Sequence, residues 1–343
     1  MLLASSYCCS SNRSKIMADH AVGDDIFVYT GGRAPQHVVN VIVDESVEEI
    51  DDHAFAENPN LRSVCCHDGL LKVGNSAFHN CSSLQRVKMP GVKIIEAGAF
   101  SECKSLAHAE FGDKLDTVEE MAFDGCRSLK RLKLPKVKTI EISAFETSGV
   151  EQLEFGEDLE TIRSGAFRGS KLRRIAIPLK DGMFQWNYHS RTYTQFSKCY
   201  NLATVDLVGG VHKTVASLHL ESWRNEMNEE IQQINQILPV IDHDEKSSEI
   251  VEWIQLLISK IEHYKSEHRA VVKEVATLLE LALWKAKLAD FIEEGDVGVG
   301  PAEENTERKA KIDDDEGTRK EARITSGADI VIKNVLPFLM MVE

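Results

Sequence analysis

The chain has 343 residues and a formal net charge of −15, with 28% charged and 43% hydrophobic residues. That length allows two or three domains with an ample core. The acidic balance disfavours nucleic-acid binding, because phosphate contacts require clustered lysine and arginine. No stretch approaches 18 consecutive apolar residues, so the sequence predicts no transmembrane helix and no membrane insertion.

The N-terminal segment, residues 1–25, carries few apolar side chains beyond Leu2 and Leu3. It has neither the cationic start nor the long apolar core of a secretory signal. We interpret residues 1–25 as a disordered tail, and leave open whether translation starts at Met1 or at Met17. Four of the eight cysteines stand at one repeated position, which does not suggest a disulfide framework. We therefore expect reduced thiols and a cytoplasmic or nuclear protein that is not secreted.

A dipeptide, Ala-Phe, recurs through the first half of the chain. Its six copies are Ala54-Phe55, Ala77-Phe78, Ala99-Phe100, Ala122-Phe123, Ala144-Phe145 and Ala166-Phe167. The interval between successive phenylalanines is nearly constant, and an altered seventh copy, Gln195-Phe196, follows after a longer interval. A fixed period in the low twenties is typical of a solenoid, in which each repeat is buried by its neighbours. The sequence predicts a solenoid over residues 26–213, including its caps.

Each repeat has the same apolar positions. After the phenylalanine comes a segment spaced L-x-x-V-x-L, such as Leu84, Val87 and Met89, whose last two residues share one face of a strand. We interpret the Ala-Phe segment as a short helical turn on the convex side, with its ring filling the hollow between coils. Cysteine occupies the third position after phenylalanine in four copies: Cys81, Cys103, Cys126 and Cys199. One thiol in a coil predicts a buried apolar ladder and not a metal cluster.

The phrase I-x-x-x-A-F-x-x-C-x-x-L-x-x-V-x-L-P, seen best at residues 95–111 and 118–135, resembles the BspA-like, or Treponema-type, leucine-rich repeat. The resemblance covers residues 38–208. It implies an α/β leucine-rich-repeat solenoid with parallel β-strands on the concave side and short helical turns on the convex side. The order of the whole chain is similar to a group of diatom leucine-rich-repeat proteins, from which no activity carries over. The segments that carry this similarity are residues 28–33, 206–210, 278–287 and 328–339.

Charged residues at the outward strand positions alternate in sign from coil to coil. We take them as candidate partner-binding residues: Arg86, Lys88, Glu110, Arg131, Lys133, Glu154 and Arg174. Parallel strands lie about 4.8 Å apart, which would place opposite charges side by side. One interpretation is a sheet face that neutralises itself. The other is a banded surface that docks a partner with complementary charges.

The repeat pattern fails after Pro178, where residues 180–195 carry four aromatic residues. These are Phe184, Trp186, Tyr188 and Tyr193. One interpretation is a cap that folds over the last coil and seals its core. The other is a partner-binding site, because tryptophan and tyrosine are enriched at binding hot spots.

The hydrophobic period becomes helical over residues 214–292, which predicts an all-α module, either a helical hairpin or a coiled coil. A first helix ends before Pro239, and Ser247 or Ser248 is expected to cap a longer second helix, with a break near residues 266–268 as an alternative. The apolar residues of the second helix alternate in steps of four and three, as in a coiled coil. An intramolecular hairpin is slightly favoured over a homodimer.

We interpret residues 293–325 as a charged disordered linker, and residues 326–343 as an apolar docking segment.

The sequence contains no glycine-rich phosphate loop, nucleophile elbow or metal-ligand spacing. We therefore assign no catalytic, cofactor-binding or metal-binding residue and expect no enzyme. We expect a protein-interaction scaffold whose solenoid binds one or more protein partners, but no nucleic acid. The alternative is a surface adhesin or recognition receptor, a role that the BspA-like resemblance implies.

Overall fold

The structure, a computed structural model, describes residues 26–185, 194–208 and 221–295, with side chains to residue 287. The expected N-terminal tail and C-terminal docking segment, and nearly all of the expected linker, lie outside these ranges. The described chain divides into two compact units within one long helix, between residues 262 and 263.

The described part of the solenoid is built from fifteen parallel β-strands, which confirms the predicted fold class. In chain order they are β1 (Ile26–Tyr29), β2 (Asn40–Val43), β3 (Glu49–Ile50), β4 (Ser63–Cys65), β5 (Lys72–Val73), β6 (Arg86–Met89), β7 (Ile94–Ile95), β8 (His108–Phe111), β9 (Thr117–Val118), β10 (Arg131–Leu134), β11 (Thr139–Ile140), β12 (Gln152–Phe155), β13 (Thr161–Ile162), β14 (Arg174–Ile177) and β15 (Thr204–Leu207). Each regular coil contributes one longer strand and one two-residue strand to two different faces.

The longer strands form two sheets, in the orders β1-β2-β4-β6-β8 and β10-β12-β14-β15, which we call the long-strand face. The two-residue strands form one six-stranded sheet, β13-β11-β9-β7-β5-β3, which the sequence analysis did not predict. The division of the long-strand face falls beside β8, where Ala109 replaces the larger residues Val87 and Leu132 of the neighbouring coils. Ala109 and Phe111 are only half-buried, whereas Val87 and Leu132 are buried.

The repeated phenylalanines form one continuous stack through the core. Rings of successive coils lie 5.1–5.7 Å apart with interplanar angles of 4–16°, from Phe55 to Phe196. This spacing follows the separation of neighbouring strands, so each ring covers the ring of the next coil. The stack confirms the prediction that each phenylalanine fills the space between coils.

The Ala-Phe segments are single turns held by hydrogen bonds between positions three apart, such as Ala77 N–H to the Gly74 carbonyl at 3.2 Å. Left-handed residues bracket every turn, for example Met121 (φ 55°) before Ala122 and Gly125 (φ 69°) after Phe123. Residues with positive φ interrupt an α-helix, which explains why each turn stays so short. The phenylalanine N–H groups bond to the next coil instead, as from Phe123 to Ala144 at 2.7 Å.

The first coil is closed by β1, which pairs in parallel with β2. The Tyr29 ring continues the stack, 5.0 Å from Phe55. Burial raises the pKa of the Tyr29 hydroxyl to about 12, so it stays protonated and donates a hydrogen bond of 3.0 Å to Asp51 Oδ2.

In the described chain two helices follow the solenoid, α1 (Glu221–Ile237) and α2 (Lys246–Gly295). α1 ends before Pro239, as predicted, whereas α2 has no break near residues 266–268 and extends slightly beyond the expected limit of the module at residue 292. Lys260 of α2 forms ion pairs with Glu226 and Glu230 of α1, which join the two helices as an intramolecular hairpin. The two carboxylates raise the pKa of Lys260 and keep it charged.

α1 and the N-terminal end of α2 cover the open end of the solenoid. The Asn235 amide of α1 accepts a hydrogen bond from Val205 N–H at 2.8 Å and donates one to the Val205 carbonyl at 3.2 Å. It therefore supplies β15 with the bonds that a further strand would make, which protects a sheet edge. Ser247 does not cap α2, because the helix already includes Lys246. Its hydroxyl accepts a hydrogen bond from Phe196 N–H at 3.2 Å instead.

Replacement of Asn235 by leucine should lower the free energy of unfolding by about 2–3 kcal/mol, because the N–H and carbonyl of Val205 would lose their partners. Urea denaturation measures this change, and hydrogen exchange at Val205 should accelerate. The control is Asn225→Leu, the same substitution at an exposed position of α1. Equal stabilities for the two variants would contradict the capping role of Asn235.

Candidate functional site

The long-strand face presents two rows of outward side chains. The first residue of each strand forms the first row, in which β12 pairs Gln152 with Arg131 on one side and with Arg174 on the other. The third residue of each strand forms the second row, in which Lys133 pairs with Glu154. The residues between them point inward and are mostly buried. This alternation places all seven charged candidate residues from the sequence on one face.

Ion pairs link neighbouring coils along the second row. Lys88 lies 3.2 Å from Glu110, and Lys133 lies 2.8 Å from Glu154. These contacts fit the interpretation of a face that neutralises itself. Exposed pairs of this kind contribute only about 0–1 kcal/mol each, so they remain free to exchange partners.

A third ion pair joins the two rows. Arg174 binds Asp206 of the last strand, an acidic residue that the sequence analysis did not single out. The longer interval before the final repeat obscures its equivalence with Glu110 and Glu154. The regular spacing of Leu202, Val205 and Leu207 marks the same outward strand position in the sequence.

Arg86 and Arg131 of the first row form no ion pair with any residue that the structure describes. Both are exposed. Arg86 has His108 beside it in the neighbouring strand, and Arg131 has Gln152. Neither neighbour supplies a negative charge, so the first row is not neutralised in the same way as the second.

A groove of about 830 Å³ runs over the later coils of this face. It begins at Ala109, where the small side chain leaves room, and continues to β15. Five of the predicted partner-binding residues line it, together with Asp206: Glu110, Arg131, Lys133, Glu154 and Arg174. Arg86 and Lys88 lie outside the groove lining. The structure therefore gathers most of the charged candidates around one depression.

Phe184 of the aromatic segment is a core residue. It is 7% exposed, and its ring meets the Phe196 ring edge-on at 5.8 Å. The Met183 carbonyl accepts a hydrogen bond from Ile162 N–H at 2.8 Å, and Gln185 N–H donates one to the Ile162 carbonyl at 3.0 Å. Phe184 thus extends the sheet of two-residue strands and favours the interpretation of a cap at this position. Trp186, Tyr188 and Tyr193 lie outside the described residues.

The cysteine ladder is buried as predicted. Each thiol donates a hydrogen bond to the phenylalanine carbonyl of the preceding coil, at 3.0 Å from Cys81 to Phe55 and 2.8 Å from Cys199 to Phe167. Burial raises the pKa of Cys81 to about 12 and that of Cys199 to about 11. Burial also raises the pKa of Cys103 and of Cys126. These thiols are therefore structural groups, held protonated and away from reagents.

Asp242, His243 and Asp244 form a small cluster between α1 and α2. Asp244 accepts a hydrogen bond of 2.6 Å from the Ser197 hydroxyl, which lowers its pKa. His243 Nδ1 lies 3.0 Å from Asp244, and the ring meets Tyr200 edge-on at 4.7 Å. These contacts attach the interhelical connection to the last coil, which accounts for the cluster without a ligand.

The second unit contains exposed apolar side chains on α2. Those at least 44% exposed are Val271, Val275, Leu278, Leu281, Leu283 and Trp284. Val271, Val275 and Leu278 continue the alternating steps of four and three noted in the sequence, and we call these three residues the apolar row. No described helix combines the length and apolarity that crossing a bilayer requires.

Three overlapping stretches match the model of the BspA type leucine-rich repeat region in six copies: residues 35–126, 72–202 and 128–225. Together they span more than half of the chain. The chain belongs to the BspA-type leucine-rich repeat family.

A stretch of 52 residues is 44% identical to part of the Leucine-rich repeat-containing G-protein coupled receptor 4 from Mus musculus. This stretch covers 15% of this chain and 6% of the receptor. The chain therefore matches only a small part of that protein.

Solved structures of other leucine-rich repeat proteins also align with this BspA-type chain. A leucine-rich repeat protein from Bacteroides ovatus is 30% identical, with 41% of this chain and 37% of that chain covered and a TM-score of 0.39. A leucine rich cell surface protein from Faecalibacterium prausnitzii is 24% identical over 55% and 51%, with a TM-score of 0.40. The Leucine Rich Repeat protein of T. pallidum is 25% identical over 44% and 72%, also with a TM-score of 0.40.

The burial of the thiol ladder predicts selective labelling. In a variant that lacks Cys8 and Cys9, a maleimide at neutral pH should modify the half-buried Cys65 first, because it is the one described cysteine that is not fully covered. The ladder thiols should react at least about 100-fold more slowly, since burial and a raised pKa suppress the thiolate. Mass spectrometry of timed samples measures both rates. Equal labelling of Cys65 and Cys126 in the folded protein would contradict this assignment.

Proposed function

We propose that the protein is a non-enzymatic protein-interaction scaffold that binds its partner across the long-strand face. The groove beside β8–β15, lined by six charged side chains on adjacent strands, is the observation that carries this proposal. The family and fold are typical of binding scaffolds. The buried thiols and the ion-paired charges of the groove suit recognition better than chemistry.

The ring stack makes this face suitable for binding. The side chains of the groove stand on strands whose inward neighbours, such as Leu132 and Leu153, are buried in the core. A partner therefore meets a surface that loses little conformational freedom on binding. The exposed ion pairs, such as Lys133 with Glu154, can exchange for pairs across the interface and set the partner's register.

We place this function inside the cell. The six cysteines that the structure describes are free thiols, which fits a reducing compartment. The alternative is a surface adhesin or recognition receptor. Removal of the protein by protease treatment of intact cells would favour that alternative and contradict the intracellular proposal.

Site-specific photo-crosslinking in living cells tests the scaffold. A crosslinking residue at Gln152, exposed in the groove, should give a small set of discrete protein adducts. The same residue at Glu120, exposed in an Ala-Phe turn, is the matched control and should give few or none. Adducts at Gln152 should decrease when Lys133→Glu and Arg131→Glu are added. Indistinguishable adduct patterns at the two positions would contradict binding through the long-strand face.

We further propose that the apolar row on α2 pairs with the same row of a second copy. Val271, Val275 and Leu278 follow the heptad spacing that two-stranded coiled coils use. Each is 44–58% exposed, which is unusual for aliphatic residues in a helix that repeats so regularly. A homodimer would bury this row and present two solenoids to one partner.

Multi-angle light scattering tests the homodimer. The full chain should have twice the mass of one copy at concentrations of tens of micromolar, and Leu278→Glu should reduce it to the mass of a monomer. Thr277→Glu adds the same charge at the neighbouring position, outside the row, and should remain a dimer. A monomeric wild type would contradict the proposal. If that monomer dimerises when residues 326–343 are deleted, the row is covered by the chain's own C-terminal segment.

A further inference from the structure

Cations are concentrated where the long strands begin. We define the basic edge as the exposed cations at the first residue of a long strand or the residue before it, from β2 to β15: Arg62, Arg86, Lys130, Arg131, Arg173 and Arg174. Glu151 is the single carboxylate at these positions within the described coils. Six cations against one carboxylate is an unusual local balance in a chain of net charge −15.

Half of these six cations form ion pairs within the described solenoid. Lys130 and Arg173 share Glu151, each at 3.9 Å, and Arg174 binds Asp206. Arg62, Arg86 and Arg131 form no ion pair with any described residue. The side chains are exposed and contribute nothing to the ring stack, so the fold does not explain why they are basic.

The opposite edge of the same face carries the opposite charge. The turns that follow the long strands contain seven carboxylates and three lysines: Asp44, Glu45, Asp68, Asp113, Glu157, Asp158 and Asp181, with Lys114, Lys136 and Lys180. Charge is therefore separated across the strands, with one positive and one negative margin. Separated charge of this kind orients an approaching partner before contact.

We propose that the basic edge binds an acidic, extended polypeptide segment of the partner, which lies across the strands with its carboxylates on the arginines. This inference rests on the proposed scaffold function and specifies the chemistry of its partner. An arginine guanidinium can bind a carboxylate through two parallel hydrogen bonds, which gives both strength and orientation.

The spacing of the arginines suits such a segment. Arg131 and Arg174 both pair with Gln152, from opposite sides, so they lie two strands apart. Two strand separations are about 10 Å. Arg86 occupies the equivalent position two coils earlier. A polypeptide in the polyproline II conformation rises about 3.1 Å per residue, so every third residue returns after about 9 Å. Acidic residues at every third position would therefore meet successive arginines.

The second row argues against a nucleic acid as the occupant. Glu110, Glu154 and Asp206 belong to the second row of the strands beside the arginines, and the two rows lie about 7 Å apart along the strands. A nucleic acid strand carries one negative charge in about every 3.4 Å of length and would bring phosphates against these carboxylates. A peptide with separated carboxylates avoids that repulsion.

Fluorescence anisotropy with synthetic peptides tests the inference. The probe has glutamate at every third position among proline and alanine, over five such repeats, and the comparison peptide has lysine in place of glutamate. The wild-type chain should bind the glutamate peptide and not the lysine peptide, and binding of the glutamate peptide should weaken as salt is raised.

The variant Arg86→Glu with Arg131→Glu should weaken binding at least about tenfold. The matched control, Lys114→Glu with Lys136→Glu, makes the same charge change at the opposite edge and should bind as the wild type does. Thermal unfolding of each variant verifies that it is folded.

Several outcomes would overturn the inference. Equal binding by the two double variants would remove the basic edge from recognition. Tighter binding of a single-stranded RNA homopolymer, lost in the same variant, would assign the edge to polyphosphate instead. Absence of glutamate-peptide binding, with crosslinked partners still captured at Gln152, would reject the acidic segment and leave the scaffold function standing. If the glutamate peptide does not bind and no partner is crosslinked at Gln152, both the acidic segment and the scaffold function are rejected.

Discussion

The stacking of one aromatic ring on the next is the constraint on which the rest of this structure depends. Rings about 5 Å apart require every coil to repeat the spacing of its neighbours, because a shifted coil would leave a ring uncovered. That requirement explains the small alanine beside six of the seven stacked phenylalanines and the thiol or small polar residue three positions after each ring. It also explains why the two faces are parallel sheets, since each coil follows the path of the one before.

A stack has two ends, and the chain closes them by different means. At the first end Tyr29 provides a ring of its own, and its hydroxyl reaches Asp51, so the polar group of the capping ring has a partner. At the other end Phe184 covers Phe196, while Asn235 supplies the bonds of a missing strand to Val205. Lys246 donates a hydrogen bond of 2.7 Å to the Leu202 carbonyl, and burial lowers its pKa. α1 and the part of α2 up to Glu262 therefore complete the solenoid and belong to one compact unit with it.

Features that recur could be predicted from the sequence, and features that occur once could not. The ring stack, the thiol ladder and the long-strand face follow from positions that repeat in every coil. The sheet of two-residue strands also recurs but was not predicted, because two residues are too few to show an alternating pattern. The left-handed residues that bracket each turn repeat in position but not in type, since Met121 and Thr147 serve there as Gly125 does. Asn235 and Ser247 act through contacts with distant residues, and a single polar residue on a helix has no period that would reveal its partner. Asp206 was not identified as a candidate residue from the sequence because the last repeat is longer than the others.

The two outward rows show how packing and recognition can be separated on one face. Opposite charges on adjacent coils neutralise the second row, so the solenoid itself accounts for Lys88, Glu110, Lys133 and Glu154. Opposite charges on adjacent coils of the first row would likewise have removed repulsion between its cations without changing the buried residues. Instead, Arg86 and Arg131 stand beside His108 and Gln152. The inward residues of these strands pack in the core whichever residues point outward. Folding therefore does not require arginine at the outward positions of the first row. The unpaired Arg86 and Arg131 on the surface of an acidic chain are therefore the residues for which we propose an acidic partner.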